Sequence, residues 1–305
     1  MLEYSIQTVG LTKQYGNQLS VNNLNLNVKK GSIYGLLGRN GAGKSTTMKM
    51  ILNLIEPTKG TIRLFGKQID GNEKEIYSRI GCLIESPGFY PNLTGTENLK
   101  IFAMLRGIPR KNAVQYSLET VGLSYNDKKL FSEYSLGMKQ RLALALAIMH
   151  DPELLILDEP INGLDPIGIV EIRDMLREFA DRGKTILISS HILSEIELLA
   201  DDIGIINEGM LIEEESMEKL KQKNTSYIGL QTSSADMSAK VLEDFGIREY
   251  QILDDMTIKI FEKDIDISQV IRTLVSENIR VYDVHLYENS LEDYFKTLTG
   301  GKGIG

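Results

Sequence analysis

The stretch Gly38-Arg39-Asn40-Gly41-Ala42-Gly43-Lys44-Ser45-Thr46 fits the pattern G-x-x-x-x-G-K-[ST] at every fixed position. Glycines at 38, 41 and 43 let the backbone curl until successive N–H groups point inward at phosphate oxygens, and a helix starting at the loop adds positive potential. Lys44 is placed to reach β- and γ-phosphates and the Ser45 hydroxyl to ligate Mg²⁺, so the loop predicts a bound nucleoside triphosphate. A second constellation is Leu154-Leu155-Ile156-Leu157-Asp158-Glu159-Pro160, an apolar strand ending in two carboxylates. Ligands of open α/β sheets gather outside the carboxyl ends of the strands. Asp158 therefore fits a Mg²⁺ site, usually through water, and Glu159 fits a base or orienter of an attacking water.

These groups need a sheet to hold them. The apolar run Ile33 to Leu37 precedes the glycine loop as a buried strand would, and residues 46–52 follow as a helix ended before Pro57. Residues 5–30 read as strands, with apolar and polar residues alternating over Leu24 to Val28, and further short strands are expected at 60–66 and 80–84. Thr94 to Glu97 has capping-box spacing, and helices are expected through most of 97–149. Leu142 to Ala147 alternates like a strand, but its alanines favour a buried helix. From 153 the pattern becomes strand, helix, strand, which predicts a parallel sheet with crossover helices, closed by a hairpin over 203–213.

The polar run Lys219 to Thr225 marks a boundary: a first domain over 1–220, a linker at 221–226 and a small α/β domain over 227–305. Strands are expected there at 227–231, 257–261 and 280–286, helices at 235–245, 267–277 and 291–298, and a flexible tail from 300. No catalytic motif stands out in that domain, and His285 reads as a packing or surface residue.

Composition narrows the partners. The 305 residues carry 34 Lys and Arg against 42 Asp and Glu, and a net charge of −8 argues against nucleic acid. A single cysteine, Cys82, forms no internal disulfide, which fits a reducing cytosol. No apolar run approaches the ~20 residues needed to cross a bilayer, so a membrane role would need a separate membrane subunit.

Tyr134-Ser135-Leu136-Gly137-Met138-Lys139-Gln140-Arg141 would by itself read as a helix start capped by Ser135. Lying between the glycine loop and the Asp158 strand, it resembles the signature sequence of ATP-binding-cassette (ABC) ATPases, usually Leu-Ser-Gly-Gly-Gln. Ser135 and Gly137 match; Leu136 and Met138 depart. The resemblance covers residues 5–220 and implies an α/β P-loop fold with an antiparallel β subdomain, a parallel-sheet core and a helical subdomain. It implies ATP and Mg²⁺ as ligands, Tyr15 stacking on adenine, a D-loop at Asn162 to Asp165, and His191 contacting the γ-phosphate. It also implies a homodimer in the ATP-bound state, in which Ser135, Gly137 and Met138 face the ATP held by the Lys44 loop of a second ATP-binding subunit.

The family normally places Gln where this chain has Glu85. A carboxylate is a hard oxygen ligand, so Glu85 is expected to join Ser45 and Asp158 at the metal while adding negative charge beside Asp158 and Glu159. Glu85 to Thr94, Ser135 to Gln140 and the ending Ser290 to Phe295 resemble the ATP-binding subunits of bacitracin-resistance and lantibiotic-immunity exporters. That likeness implies a cytoplasmic protein, peripheral on the inner face of the cell membrane. It would power an integral membrane permease gripped through the Glu85 to Thr94 region, with Phe89 and Tyr90 either exposed to grip a permease helix or packed locally. The alternative is a soluble ABC ATPase acting on a cytosolic macromolecular partner.

Overall fold

The computed structural model describes residues 3–70, 73–85, 87–108, 112–223, 227–262, 265–287, 294, 295 and 298. They form two compact units, the first ending at Met217 and the second beginning at Glu218.

The first unit opens with β1 (Tyr4–Tyr15), β2 (Gln18–Leu24), β3 (Asn27–Lys29) and β4 (Ile33–Leu37), followed by α1 (Lys44–Ile51). Then come β5 (Lys59–Leu64), β6 (Lys67–Gln68), α2 (Lys74–Tyr77), β7 (Ile80–Leu83), α3 (Gly95–Leu105), α4 (Ala113–Thr120) and α5 (Leu136–Ile148). The unit finishes with β8 (Leu154–Asp158), α6 (Pro166–Asp181), β9 (Thr185–Ser190), α7 (Leu193–Leu199), β10 (Asp202–Asn207) and β11 (Met210–Ser216). β1, β2, β3, β5 and β6 make one antiparallel sheet. The other sheet runs β11-β10-β4-β9-β8-β7 and is parallel except for the β10–β11 hairpin.

That order follows from burial. Every residue of β4 and β9 is buried, as is the Leu154 to Leu157 run of β8, and strands covered on both faces are the ones a parallel sheet needs. The core joins the two sheets: Ile6, Leu24 and Val28 pack in one cluster with Leu36, Ile156, Leu187 and Ile206, and Met48 and Ile51 of α1 fill the space between. Leu142 to Met149 is buried throughout and lies in and just after α5, so its alternation does not make a strand. On α6, Ile172, Leu176 and Phe179 form the buried stripe that packs the helix down.

Thr94 caps α3 with a full capping box, its side chain accepting from the Glu97 N–H while the Glu97 carboxylate accepts from the Thr94 N–H at 2.8 Å. In the loop before it the two aromatics divide between the two readings. Phe89 is only 8% exposed, edge-on to Phe102 at 5.6 Å and against Phe131 at 5.1 Å. An apolar ring with two aromatic neighbours gains more from burial than from solvent. Tyr90 alone is left outside, its backbone N–H and C=O bridged by the Asn98 side chain.

After α8 (Met217–Lys223), the second unit runs β12 (Tyr227–Thr232), α9 (Ala235–Asp244), β13 (Tyr250–Ile252), β14 (Thr257–Ile260), α10 (Ile267–Ser276) and β15 (Val281–Tyr287). Its antiparallel sheet has the order β13-β14-β12-β15, a βαββαβ arrangement. Leu230, Ile258 and Ile260 meet Ala239, Leu242, Val270 and Leu274, so both helices cover one face of the sheet. Residues 221–223 of the expected linker are the end of α8, and 224–226 lie outside the described residues. So do most of the helix expected at 291–298, most of the Ser290 to Phe295 stretch and the tail from 300.

Candidate functional site

The glycine loop leaves the end of β4 and turns into α1. Gly41 has φ +81° and Gly43, which precedes the helix, φ +108°, a region that costs a residue with a Cβ. Sterics reinforce the choice: a Cβ on Gly43 would lie 2.6 Å from the Ser20 carbonyl, and one on Gly38 would lie 2.5 Å from that of Ile206. The loop is braced from three places. Gly38 N–H donates to Ser190 O at 3.3 Å, Ala42 O accepts from Gly209 N–H at 2.9 Å, and Gly209 O accepts from Asn22 N–H at 2.8 Å. Ala42 is buried, Asn40 and Gly41 are exposed, and Arg39 is half-buried with its carbonyl accepting from Ala42 N–H at 3.1 Å.

Lys44 is 5% exposed, and its Nζ donates to Gly38 O at 2.6 Å and Arg39 O at 3.3 Å. The same Nζ stands 3.2 Å from Glu159 Oε1. Thr46 Oγ1 is 3.1 Å from Ser20 Oγ, while the Ser45 hydroxyl has no hydrogen-bond partner among the described residues. The cluster continues from Glu159, whose Oε2 accepts from His191 Nδ1 at 2.8 Å. A carboxylate only accepts, so the imidazole carries a proton on Nδ1. The parallel register of β8 and β9 sets Asp158 beside Ser189. The Ser189 hydroxyl donates to Asp158 Oδ1 at 2.5 Å and accepts from the Glu159 N–H at 2.9 Å. Glu159 has φ +48°, and that N–H bond holds the strained backbone where its carboxylate meets both Lys44 and His191.

Lys44, Asp158, Glu159 and His191 are thus one cluster at the carboxyl ends of β4, β8 and β9. No described hydrogen bond or ion pair joins Glu85 to it. Just past β7, 72% exposed, it pairs with Lys49 Nζ at 2.6 Å, and that ammonium holds its carboxyl below the usual carboxylate range. The charge of Glu85 is taken up by Lys49 on α1, which also feels the Asp158 carboxylate. No group of three His, Cys, Asp or Glu side chains that could hold a metal occurs among the described residues.

Tyr15 ends β1 half-exposed, with Lys13 Nζ 5.1 Å from its ring centre. Ser135 caps α5, its Oγ accepting from Met138 N–H at 3.3 Å, and Gly137 lies in the first turn. Asp165 caps α6 through Gly168 N–H at 3.0 Å. Gly163, at φ +74°, leaves the space that Leu136 occupies, since a Cβ would come within 2.7 Å of Leu136 Cδ2. Gln140 Nε2 donates to Pro160 O at 2.7 Å, tying α5 to the residue after Glu159. None of the hydrogen bonds or ion pairs described joins Ser135, Gly137 or Met138 to the Lys44 cluster. Sequence reasoning missed Ser189, Lys49 and Gln140; the one available signal was Ser189 and Ser190, two hydroxyls ending an apolar strand just before His191.

Residues 21–162 match the model of the ABC transporter family. Along its whole length the chain is 51% identical to the bacitracin transport ATP-binding protein BcrA of Enterococcus faecalis, covering 100% of this chain and 99% of that one. It is 45% identical to the lantibiotic transport ATP-binding protein SrtF of Streptococcus pyogenes over 68% of this chain and 89% of that protein. A solved ATP-binding subunit of an ABC transporter superposes with TM-score 0.64 at 29% identity, covering 73% of this chain and 93% of its own.

Proposed function

The chain belongs to the ABC transporter family as an ATP-binding, ATP-hydrolysing protein, and from that premise we propose that it energises export of a peptide antibiotic of the bacitracin or lantibiotic type through a separate membrane permease. The chemistry rests on one observation: a single carboxylate, Glu159, is held between the loop lysine at 3.2 Å and the His191 imidazole at 2.8 Å. Full-length likeness to a transporter's ATP-binding protein supports this reading over a soluble ATPase working on a cytosolic partner.

Lys44 exchanges Glu159 for the γ-phosphate when ATP enters the loop, and Glu159, released on that side, accepts the proton of the attacking water. His191 holds Glu159 by its second oxygen and so steadies the base through the transition state. Tyr15 provides the exposed ring for adenine. Ser45 Oγ and the second oxygen of Asp158 are hard donors without partners among the described residues, which suits Mg²⁺, an ion that neutralises charge on the β- and γ-phosphates. Glu85 reaches that metal only if its pair with Lys49 opens. Head-to-tail pairing of two copies sets Ser135, Gly137 and Met138 against the other copy's ATP, with Asp165 near the dyad. No described helix is long and apolar enough to cross a membrane. We place the chain on the inner membrane face, docked to the permease through the Glu85 to Thr94 region; its likeness to transporter ATP-binding proteins and the exposed Tyr90 support that reading.

The test is Mg²⁺-dependent ATP hydrolysis with and without the copurifying permease. Glu159→Gln should keep ATP binding and lose turnover by about 10²–10⁴-fold, the range of general-base catalysis. Turnover of wild-type size in that variant would refute the base assignment. Glu85→Gln should alter the Mg²⁺ dependence; an unchanged dependence would remove Glu85 from the metal site. Indifference of hydrolysis to the permease would redirect the search to another partner.

A further inference from the structure

The βαββαβ unit covers one face of its sheet with α9 and α10, and the other face bears side chains unlike those of a plain solvent surface. Tyr227 on β12 and Tyr287 on β15 stack at 4.9 Å and 18°, Phe261 tilts against Tyr227 at 5.9 Å, and Lys259 Nζ lies 4.3 Å from the Tyr227 ring centre. In the middle of β12, with a strand on either side, stands Gly229. Glycine weakens a strand interior and often marks a close approach. Here a Cβ would collide with Cε2 of Tyr287, so the glycine is what lets that ring lie across the strand.

Beside the ring is a hollow of about 180 Å³, with Gly229 and Gln231 as floor, Lys259 and Leu253 on one side, and Asp283 and Tyr287 on the other. The register fixes the layout: Lys259 is opposite Gly229 on β14, and Asp283 is opposite Gln231 on β15. Lys259 and Asp283 carry opposite charges on opposite sides of one strand, yet neither is in an ion pair among the described residues, and the Gln231 side chain has no hydrogen-bond partner there either. Opposite-signed charges that leave each other alone across a floor of Gly229 and Gln231 match a ligand carrying both signs itself. The volume is below the roughly 300–1,000 Å³ of drug-sized sites, which sets the ligand at about one amino acid.

We propose that this hollow binds a small zwitterion of the α-amino-acid class with an apolar side chain. Its ammonium meets Asp283, its carboxylate meets Lys259, and its side chain lies against Leu253 and the edge of the Tyr287 ring. The C-terminal unit is then a sensor of a free amino acid, an activity separate from ATP hydrolysis.

The experiment is calorimetric titration of the full chain with L-leucine and L-phenylalanine, and with phenethylamine and 3-phenylpropionate as probes keeping one charge each. At least one of the two amino acids should bind saturably, with both one-charge probes weaker by about tenfold or more, the loss expected for one charge-assisted contact. Asp283→Asn and Lys259→Met, both at the surface, should each weaken binding about tenfold or more while leaving basal ATP hydrolysis unchanged. No saturable heat from either amino acid up to about 10 mM would overturn the proposal. So would a one-charge probe binding as well as the zwitterions, or binding that survives both substitutions.

Discussion

Replacing Ser189 with Ala should be felt at both Asp158 and Glu159, although the serine has no exposed surface. Its hydroxyl makes two bonds, donating to Asp158 at 2.5 Å and accepting from the Glu159 N–H at 2.9 Å. A hydrogen bond to a charged group contributes about 1.5–3 kcal/mol and an orphaned buried donor costs about 1–3 kcal/mol; both arise from one hydroxyl and overlap rather than add in full, so the variant should lose roughly 2–4 kcal/mol. For a folded unit of this size each kcal/mol lowers the melting temperature by about 2–4 °C, giving an expected fall of about 4–16 °C. The chemical effect is separable. Without that bond, the Glu159 backbone can relax from φ +48° and Asp158 loses a fixed orientation. Outer-shell partners of this kind typically account for about 10–100-fold in metal affinity or activity. Differential scanning fluorimetry and steady-state ATP hydrolysis over a Mg²⁺ series measure the two effects, and Ser189→Thr, which keeps the hydroxyl, should recover turnover relative to Ala. Wild-type turnover and Mg²⁺ half-saturation in Ser189→Ala would refute the positioning role, whatever happened to the melting temperature.

Gly43→Ala should abolish nucleotide binding, because φ +108° and a carbonyl 2.6 Å from the new methyl force the loop to move; equilibrium binding of a fluorescent ATP analogue checks it, and retained affinity would contradict the steric argument. His150 donates from Nε2 to Ile80 O at 3.1 Å, and burial holds its pKa below the ordinary 6.5. The unfolded chain therefore takes up the proton first, and stability should fall as pH drops below about 6.5 toward the folded value. In His150→Gln that acid-side loss of melting temperature should flatten, and parallel curves for the two proteins would rule the histidine out.

Motifs written in consecutive residues were legible in the sequence, and contacts between distant strands were not. The glycine loop announces itself because its conformation is set by its own residues, and Asp158 and Glu159 because a strand direction alone delivers them. Ser189 belongs to the same few ångströms but comes from the neighbouring strand, and only the β8–β9 register discloses it. The same holds for Lys49, 36 residues from the Glu85 it neutralises, and for Phe89, whose seat is built by Phe102 and Phe131. In the second unit the longer strands and helices were readable from periodicity. β13, three residues long and paired among the described residues with β14 alone, carries too short a pattern to register.

The strand that carries the glycine loop also has a history during synthesis. β4 lies between β9 and β10, and the loop's backbone braces include Ser190 and Gly209. All of these partners are made more than 140 residues after Leu37. At about 5–20 residues per second, a ribosome needs roughly 7–30 s to deliver them. Throughout that interval Ile33 to Leu37, an apolar stretch wholly buried in the finished molecule, has neither neighbour to pair with. Nucleotide binding cannot assist the earlier stages, because the pocket is completed only when the last strands of the sheet arrive. Slowing translation downstream of β4 should therefore lower the yield of native protein before it alters any property of the molecules that do fold.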